Sequence, residues 1–235
     1  MQETSTNKQI LLVGNPNVGK STVFNLLCNK KQKTGNYAGV TVASHSGNYE
    51  YKGDNVEVID LPGSYSVYPT SEDEAIFSKF LIEEQQNYAG VVYVLEALSI
   101  KRGLLLFQQI QDLGIPVLLI VNQIDQAERR GISINLEELS KELGVKVLQT
   151  NAKENLGIDE LREAIFNHDF IISDQISFEI PFEQKNLVFK VLEETKEKNQ
   201  YKIWTLLSSE TYLGNLKSVK EQMNDDEVKC HIPKR

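Results

Sequence analysis

The chain is poor in cysteine, histidine and tryptophan and has no long apolar run. Its 235 residues include two cysteines, three histidines and one tryptophan. Cys28 and Cys230 are too few and too far apart for a disulfide framework or a cysteine-rich metal site, so reduced thiols are expected. No stretch approaches the ~20 apolar residues that span a bilayer, and residues 1–8 do not resemble a signal peptide. We therefore expect the chain, as given, to be soluble.

An excess of positive charge is missing as well. Lysine and arginine number 25 against 33 aspartates and glutamates, which gives a formal net charge of −8. Nucleic-acid-binding surfaces normally carry a basic stripe, so a nucleic-acid partner is not expected. Hydrophobic residues make up 40% of the chain, an ordinary globular share. The length predicts one full domain with a smaller appendage.

A phosphate-binding loop is present near the N-terminus. Residues 14–21 read GNPNVGKS and fit the pattern Gly-x-x-x-x-Gly-Lys-Ser/Thr. An apolar strand-like run precedes the loop, and residues 21–28 can form a helix whose N-terminal dipole faces the phosphates. We expect the Lys20 ammonium beside the β- and γ-phosphates and the Ser21 hydroxyl on Mg²⁺. The nucleotide-binding residues predicted here are Gly14, Asn15, Pro16, Asn17, Val18, Gly19, Lys20, Ser21 and Thr22.

Three further tetrapeptides each follow a predicted strand: residues 60–63 (DLPG), 122–125 (NQID) and 150–153 (TNAK). Their order along the chain is that of a guanine-nucleotide-binding domain. In the first, Asp60 can hold a Mg²⁺-bound water, and the Gly63 N–H can reach a γ-phosphate. In the second, the Asp125 carboxylate can accept from the N1–H and the exocyclic amine of guanine, whereas adenine would leave this carboxylate unpaired. In the third, the Ala152 N–H can reach the guanine O6. The last two tetrapeptides contribute Asn122, Gln123, Asp125, Asn151, Ala152 and Lys153 to the predicted site.

Strand and helix signals alternate along most of the chain. They predict an α/β fold of the P-loop GTPase (Ras-like) type, with a mostly parallel six-stranded sheet and helices on both faces. Ser71 opens one helix with a capping box, and this helix is expected to continue to about Gln86. We assign residues 1–170 to a GTP-binding domain and 171–235 to a linker and a truncated helical regulatory domain.

The motifs resemble those of the bacterial ferrous iron transport protein B family (FeoB). The similarity lies in residues 15–25 (NPNVGKSTVFN), in Gly39-Val40-Thr41-Val42, and in residues 113–132, which include NQIDQAERRGI. The resemblance implies a cytoplasmic GTPase part of a polytopic transporter for ferrous iron or a related divalent metal, at the cytoplasmic face of the bacterial inner membrane. Its partners would be the C-terminal membrane transport domain and small accessory transport proteins.

The resemblance also implies catalytic and metal-binding roles. Thr41, in the first switch, should bind Mg²⁺ and the γ-phosphate, and Gly39 should lie beside the nucleotide. Asn17 matches the asparagine that coordinates K⁺ in potassium-activated GTPases. The predicted catalytic residues are thus Lys20, Asn17, Thr41 and Gly63; the predicted metal ligands are Ser21, Thr41 and Asp60 for Mg²⁺ and Asn17 for K⁺. The predicted cofactors are GTP or GDP, Mg²⁺ and K⁺.

Some positions depart from the family and leave alternatives open. Tyr37-Ala38, Gln123 and Asn151 stand where the family usually has Trp-Pro, Met and Ser. Ser64 occupies the place of the water-orienting glutamine of Ras-like enzymes, and we interpret it as a mobile switch residue. A slow, potassium-stimulated GTPase is the leading interpretation. A nucleotide-dependent switch or sensor without significant turnover is the second. A soluble ribosome-assembly-type GTPase is the third, which the acidic charge and the helical tail oppose.

Overall fold

A seven-stranded sheet organises the described part of the chain. The computed structural model describes residues 8–28, 32–35, 44–175 and 177–208. The strands are β1 (Lys8–Gly14), β2 (Gln32–Gly35), β3 (Ser44–Tyr51), β4 (Asp54–Asp60), β5 (Gly90–Glu96), β6 (Val117–Asn122) and β7 (Lys146–Thr150). Their order in the sheet is β2-β3-β4-β1-β5-β6-β7. Strands β4, β1, β5, β6 and β7 pair in parallel, whereas β3 is antiparallel to both β2 and β4.

Helices connect the parallel strands and bury them. The helices of this part are α1 (Lys20–Leu27), α2 (Glu72–Ile82), α3 (Ile100–Asp112), α4 (Ile124–Arg129), α5 (Leu136–Leu143) and α6 (Ile158–Phe166). Strands covered on both faces read as continuous apolar runs, and β6 (VLLIVN) is buried along its whole length. The order of the strands brings the carboxyl ends of β1, β4, β5 and β6 to one edge of the sheet, where loops can form a ligand site.

The chain divides between Gln175 and Ile176 into two compact units. The second contains α7 (Lys185–Thr195) and α8 (Gln200–Ser208). Its small core consists of Ile180, Val188, Val191 and Ile203, and Phe178 packs on the rings of Tyr201 and Trp204. Ile171 forms two backbone hydrogen bonds with Val117 of β6, at 2.9 and 3.0 Å, and so remains with the first unit. The assignment of 1–170 and 171–235 to two domains stays a prediction.

The predicted α/β fold with a mostly parallel sheet is confirmed. The sheet has one strand more than the six predicted, namely β2. Its sequence QKTG is short and polar and carries no strand signal, so the sequence did not predict it. The helix that begins after Ser71 ends at Ile82, earlier than expected, and a separate 3₁₀ turn covers Gln85–Asn87. Cys28 is a free, buried cysteine, and burial raises the pKa of its thiol to about 12.

The N-cap of α2 provides a test of local stability. Ser71 accepts a hydrogen bond from the Glu74 N–H at 3.3 Å, whereas Ser99, the N-cap of α3, makes no side-chain cap bond. Replacing a bonded cap serine by alanine typically costs about 1 kcal/mol. We expect Ser71→Ala to lower the free energy of unfolding in urea by about that amount and Ser99→Ala by less than ~0.5 kcal/mol. Equal losses would show that the Ser71 hydroxyl does not stabilise the helix.

Candidate nucleotide-binding site

The predicted phosphate loop joins the end of β1 to the start of α1. Gly19 is the N-cap of α1 and has a left-handed backbone, with φ 95° and ψ 17°. A Cβ at Gly19 would lie 2.4 Å from Asn122 Nδ2, so any side chain here would clash with a buried amide. Glycine thus lets the loop turn sharply into the helix while Asn122 stays close beneath it. The positive end of the α1 dipole faces the mouth of the loop.

Lys20, Ser21 and Asp60 meet below this loop. The Ser21 hydroxyl donates to Asp60 Oδ2 at 3.3 Å, and Lys20 Nζ lies 3.8 Å from Asp60 Oδ1, an ion-pair distance too long for a hydrogen bond. Asp60 is 8% exposed. Burial raises the pKa of its carboxyl, against the opposing effects of Lys20, Ser21 and His45.

Two of these residues, Asp60 and Ser21, fit a divalent cation. Asp60 Oδ1 is buried and has no hydrogen-bond partner among the described residues. Mg²⁺ takes hard oxygen ligands and usually uses one or two protein groups together with substrate phosphates. The Asp60 carboxylate and the Ser21 hydroxyl supply such oxygens, and a cation near Oδ1 would compensate for the burial of its charge.

The loop after β4 lies directly against the phosphate loop. A Cβ at Gly63 would be 2.9 Å from both N and Cα of Pro16, so only glycine allows this approach. The backbone of Gly63 therefore lies close against Pro16 of the phosphate loop.

The interpretation of Ser64 as a mobile residue is wrong in this structure. Ser64 is fully buried, and its Oγ lies 2.7 Å from the Ser66 carbonyl oxygen and 3.1 Å from Glu74 Oε1. The Ser66 N–H donates back to the same oxygen at 3.2 Å. The hydroxyl is therefore used inside the fold. Glu74 also accepts from the N–H and the hydroxyl of Thr70, at 2.8 and 2.6 Å.

Asn122 joins the phosphate loop to the predicted base-binding loops. Its side chain is 1% exposed and makes three hydrogen bonds. Nδ2 donates to the Val18 carbonyl oxygen at 2.9 Å, while Oδ1 accepts from the Ala152 N–H and the Thr150 hydroxyl, both at 3.1 Å. One buried amide therefore fixes three separate segments at the same edge of the sheet.

Asp125 lies at a cavity of about 400 Å³, a volume that accepts a purine base. The lining residues are Asp125, Gln126, Arg129, Arg130, Asn151, Lys153 and Glu154. Asp125 Oδ2 pairs with Arg129, one turn further along α4, at 3.2 Å. Gln123 has a left-handed backbone (φ 62°) and accepts a hydrogen bond from Gln126 Nε2 at 2.6 Å. The Ala152 N–H, predicted to reach guanine O6, donates to Asn122 here.

Of the other predicted site residues, some lie in the described part of the chain and two lie outside it. Asn15 is buried, and Asn17 and Thr22 are exposed; the backbone of Asn17 is left-handed, with φ 66°. Gly39 and Thr41 lie outside the described residues. Thr150 and Glu74 hold the site together but were not predicted. The hydrogen bonds of Thr150 and Asn122 connect two different strands, and sequence periodicity carries no signal for such a pair.

Two kinds of feature are absent from the described part of the chain. No group of three or more histidine, cysteine, aspartate or glutamate side chains that could hold a metal ion occurs there. No helix in it has both the length and the apolar character needed to cross a bilayer.

The sequence profile of the family described as "Ferrous iron transport protein B" matches residues 8–165, most of the first unit. This chain belongs to the FeoB family. The Fe(2+) transporter FeoB of Leptospira biflexa is 41% identical over 155 residues, which cover 66% of this chain. The predicted resemblance is confirmed, and the fold is that of a FeoB GTPase domain.

Solved FeoB structures extend the match to the second unit. The cytosolic domain of T. maritima FeoB in GDP form I has a TM-score of 0.79 and 28% identity, covering 96% of this chain and 91% of that one. The cytosolic domain of L. pneumophila FeoB has a TM-score of 0.77 and 29% identity, covering 94% and 91%. By contrast, the alignment spans only 22% of the length of the Leptospira biflexa transporter.

The raised pKa of Asp60 predicts a specific pH dependence. A carboxyl with a raised pKa in the folded state adds stability below the unfolded-state pKa, 3.8, and loses this contribution as the pH rises through the folded-state value. We therefore expect the unfolding free energy of the nucleotide-free wild type, minus that of Asp60→Asn, to fall as the pH rises from below 3.8 towards 7. The difference cancels the titrating groups that do not interact with Asp60. A rise with pH, measured by urea unfolding, would contradict the assigned cause.

Proposed function

We propose that this chain binds GTP with Mg²⁺ and hydrolyses it slowly to GDP and phosphate, with stimulation by K⁺. It acts as the GTPase part of a ferrous iron transporter. The observation that carries this proposal is the triple hydrogen bonding of Asn122, which brings the phosphate loop, the Asp125 loop and the Ala152 loop to one edge of the sheet. The similar T. maritima structure is described as a GDP form, which supports a guanine nucleotide as the ligand.

Base recognition rests on Asp125. Both carboxylate oxygens can accept from guanine, one from N1–H and one from the exocyclic amine. The Arg129 guanidinium contacts only Oδ2, at 3.2 Å, and a carboxylate oxygen has a second acceptor position. A guanine O6 would share the Ala152 N–H with Asn122 in a three-centre bond.

Hydrolysis rests on charge stabilisation rather than on a positioned base. Lys20 and Mg²⁺, held by Ser21, Asp60 and Thr41, would offset the negative charge on the β- and γ-phosphates, and the Gly63 N–H would donate to the γ-phosphate. Ser64 uses its hydroxyl inside the fold, so it does not orient the attacking water. Turnover without a further cation should therefore be slow. This observation also favours the second candidate function, a nucleotide-dependent switch with negligible turnover.

Asn17 is the proposed K⁺ ligand. Its side chain is exposed on the phosphate loop, and an amide oxygen is a suitable ligand for a hard monovalent cation. A cation there would take the place of the arginine finger that other GTPases supply.

The biological setting follows from the relatives. We place the GTPase part at the cytoplasmic face of the bacterial inner membrane, because the similar solved chains are described as cytosolic domains. The partner of this part is the membrane transport domain of the parent protein, and small accessory transport proteins are further partners. The transported ion is Fe²⁺, the ion named for the Leptospira relative.

Replacement of Asp125 tests the base assignment. Asp125→Asn replaces one of the two acceptors with an NH₂ donor, which opposes the exocyclic amine of guanine but matches the carbonyl oxygen of xanthine, so binding of fluorescent GDP should weaken by at least about tenfold while xanthosine diphosphate binding improves. Glu128→Gln, which removes an exposed carboxylate from the same helix, should leave both affinities unchanged. Equal binding of ADP and GDP by the wild type would exclude guanine specificity.

Replacement of Asn17 tests the cation assignment. Hydrolysis by the wild type should be faster in KCl than in NaCl, and Asn17→Ala should remove this difference while GTP still binds. Asn155→Ala is the matched control, because Asn155 is also exposed and left-handed (φ 57°). The control corrects for backbone strain of about 1 kcal/mol. Single-turnover rates that are equal in both salts would assign Asn17 a structural role only.

A further inference from the structure

The Tyr93 side chain lies beneath the phosphate loop and is completely buried. It belongs to β5, where Tyr93 pairs with Val13 and Val94 with Gly14, the first residue of the loop. Its hydroxyl lies 2.6 Å from the Gly103 carbonyl oxygen and 3.5 Å from Asn15 Oδ1. Burial raises the pKa of Tyr93, so the hydroxyl keeps its proton at neutral pH.

The hydroxyl has one proton and two acceptor positions. At 2.6 Å the proton belongs to the bond with Gly103 O. On the same helix, the Phe107 ring packs edge-on against the Tyr93 ring, with 5.4 Å between the two centroids. Asn15 Oδ1, at 3.5 Å, takes a weaker share of the same proton in a three-centre bond. Tyr93 thus links α3 to the phosphate loop.

The same helix also holds the segment that follows Gly63. Gln109 Oε1 accepts from the Val67 N–H at 2.9 Å. In the first turn of α3, the Arg102 guanidinium stacks on the Tyr65 ring, 4.0 Å from the ring centroid. α3 is therefore attached to the phosphate loop at one point and to the Gly63 segment at two others.

These contacts converge where a γ-phosphate would bind. Gly63 packs on Pro16, the neighbour of Asn15, and a Cβ at Gly63 would be only 2.9 Å from Pro16. We propose that Tyr93 is a positioning residue that, through Asn15 and α3, sets the spacing between the phosphate loop and the Gly63 segment and so favours a nucleoside triphosphate over a diphosphate. This inference rests on the proposed nucleotide-binding function.

The test is Tyr93→Phe, which keeps the ring and removes the hydroxyl. In Mg²⁺, the affinity for a fluorescent non-hydrolysable GTP analogue should fall about three- to tenfold, with GDP affinity changed less than about twofold. Tyr88→Phe is the matched control, because Tyr88 is also buried and its hydroxyl has no hydrogen-bond partner among the described residues. The control should leave both affinities as in the wild type.

A second variant tests the hydrogen bond between Gln109 of α3 and the Val67 N–H. Gln109→Leu should reproduce the selective loss, whereas Gln108→Leu, at a neighbouring amide whose Nε2 has no partner among the described residues, should not. In the double variant Tyr93→Phe/Gln109→Leu, the two losses of affinity for the GTP analogue should be less than additive. Both substitutions weaken the same connection, which α3 makes between the phosphate loop and the Gly63 segment. Equal weakening of both nucleotides, or no change in either, would overturn the positioning role. A wild type that binds neither nucleotide would instead refute the proposed function.

Discussion

The site depends on one buried amide, that of Asn122. The phosphate loop presents the Val18 carbonyl oxygen to it, and residues 150–152 present a hydroxyl and an N–H, so its nitrogen and oxygen satisfy three groups from two segments distant in sequence. A buried polar group without a partner costs about 1–3 kcal/mol, so a displacement of either segment away from the end of β6 is penalised. The phosphate loop and the base-binding loops are therefore held in one arrangement before any nucleotide binds. Such preorganisation reduces the entropy lost on binding.

The phosphate end of the site is arranged differently. Asp60 is buried beside Lys20 and Ser21, and its Oδ1 lacks a hydrogen-bond partner in the described part of the chain. Burial of an ionised carboxylate opposes folding, which the raised pKa of Asp60 reflects. A protein that only had to be stable would not keep a carboxylate in this position. A bound divalent cation would recover part of this cost and so would raise the stability of the fold.

Features that local chemistry determines, such as the phosphate loop, could be predicted from the sequence. Side-chain contacts between residues far apart in the chain could not. The glycines and Lys20 of the phosphate loop were recognisable because a sharp turn and a phosphate partner require those residue types at fixed spacing. The polarity and position of Ser64 predicted a mobile residue, yet Glu74, ten residues later, buries its hydroxyl. The bond of Gln109 to the Val67 N–H spans 42 residues, and no periodicity in the sequence reports it. The Arg129 pair with Asp125 is an exception, because i,i+4 spacing on a helix could have predicted it.

The contacts missed from sequence are also those that decide how the segment after Gly63 can move. Ser64, Val67 and Tyr65 are each held by a side chain of α2 or α3. If a γ-phosphate draws the Gly63 N–H towards it, these attachments must either break or carry α2 and α3 along. The exposed Arg102–Tyr65 stack is the weakest of them, whereas the buried Ser64 hydroxyl cannot lose its partners cheaply. Movement of the whole segment together with its helices is therefore favoured over local rearrangement of the loop. A shift of this kind would extend beyond the nucleotide site to α2 and α3.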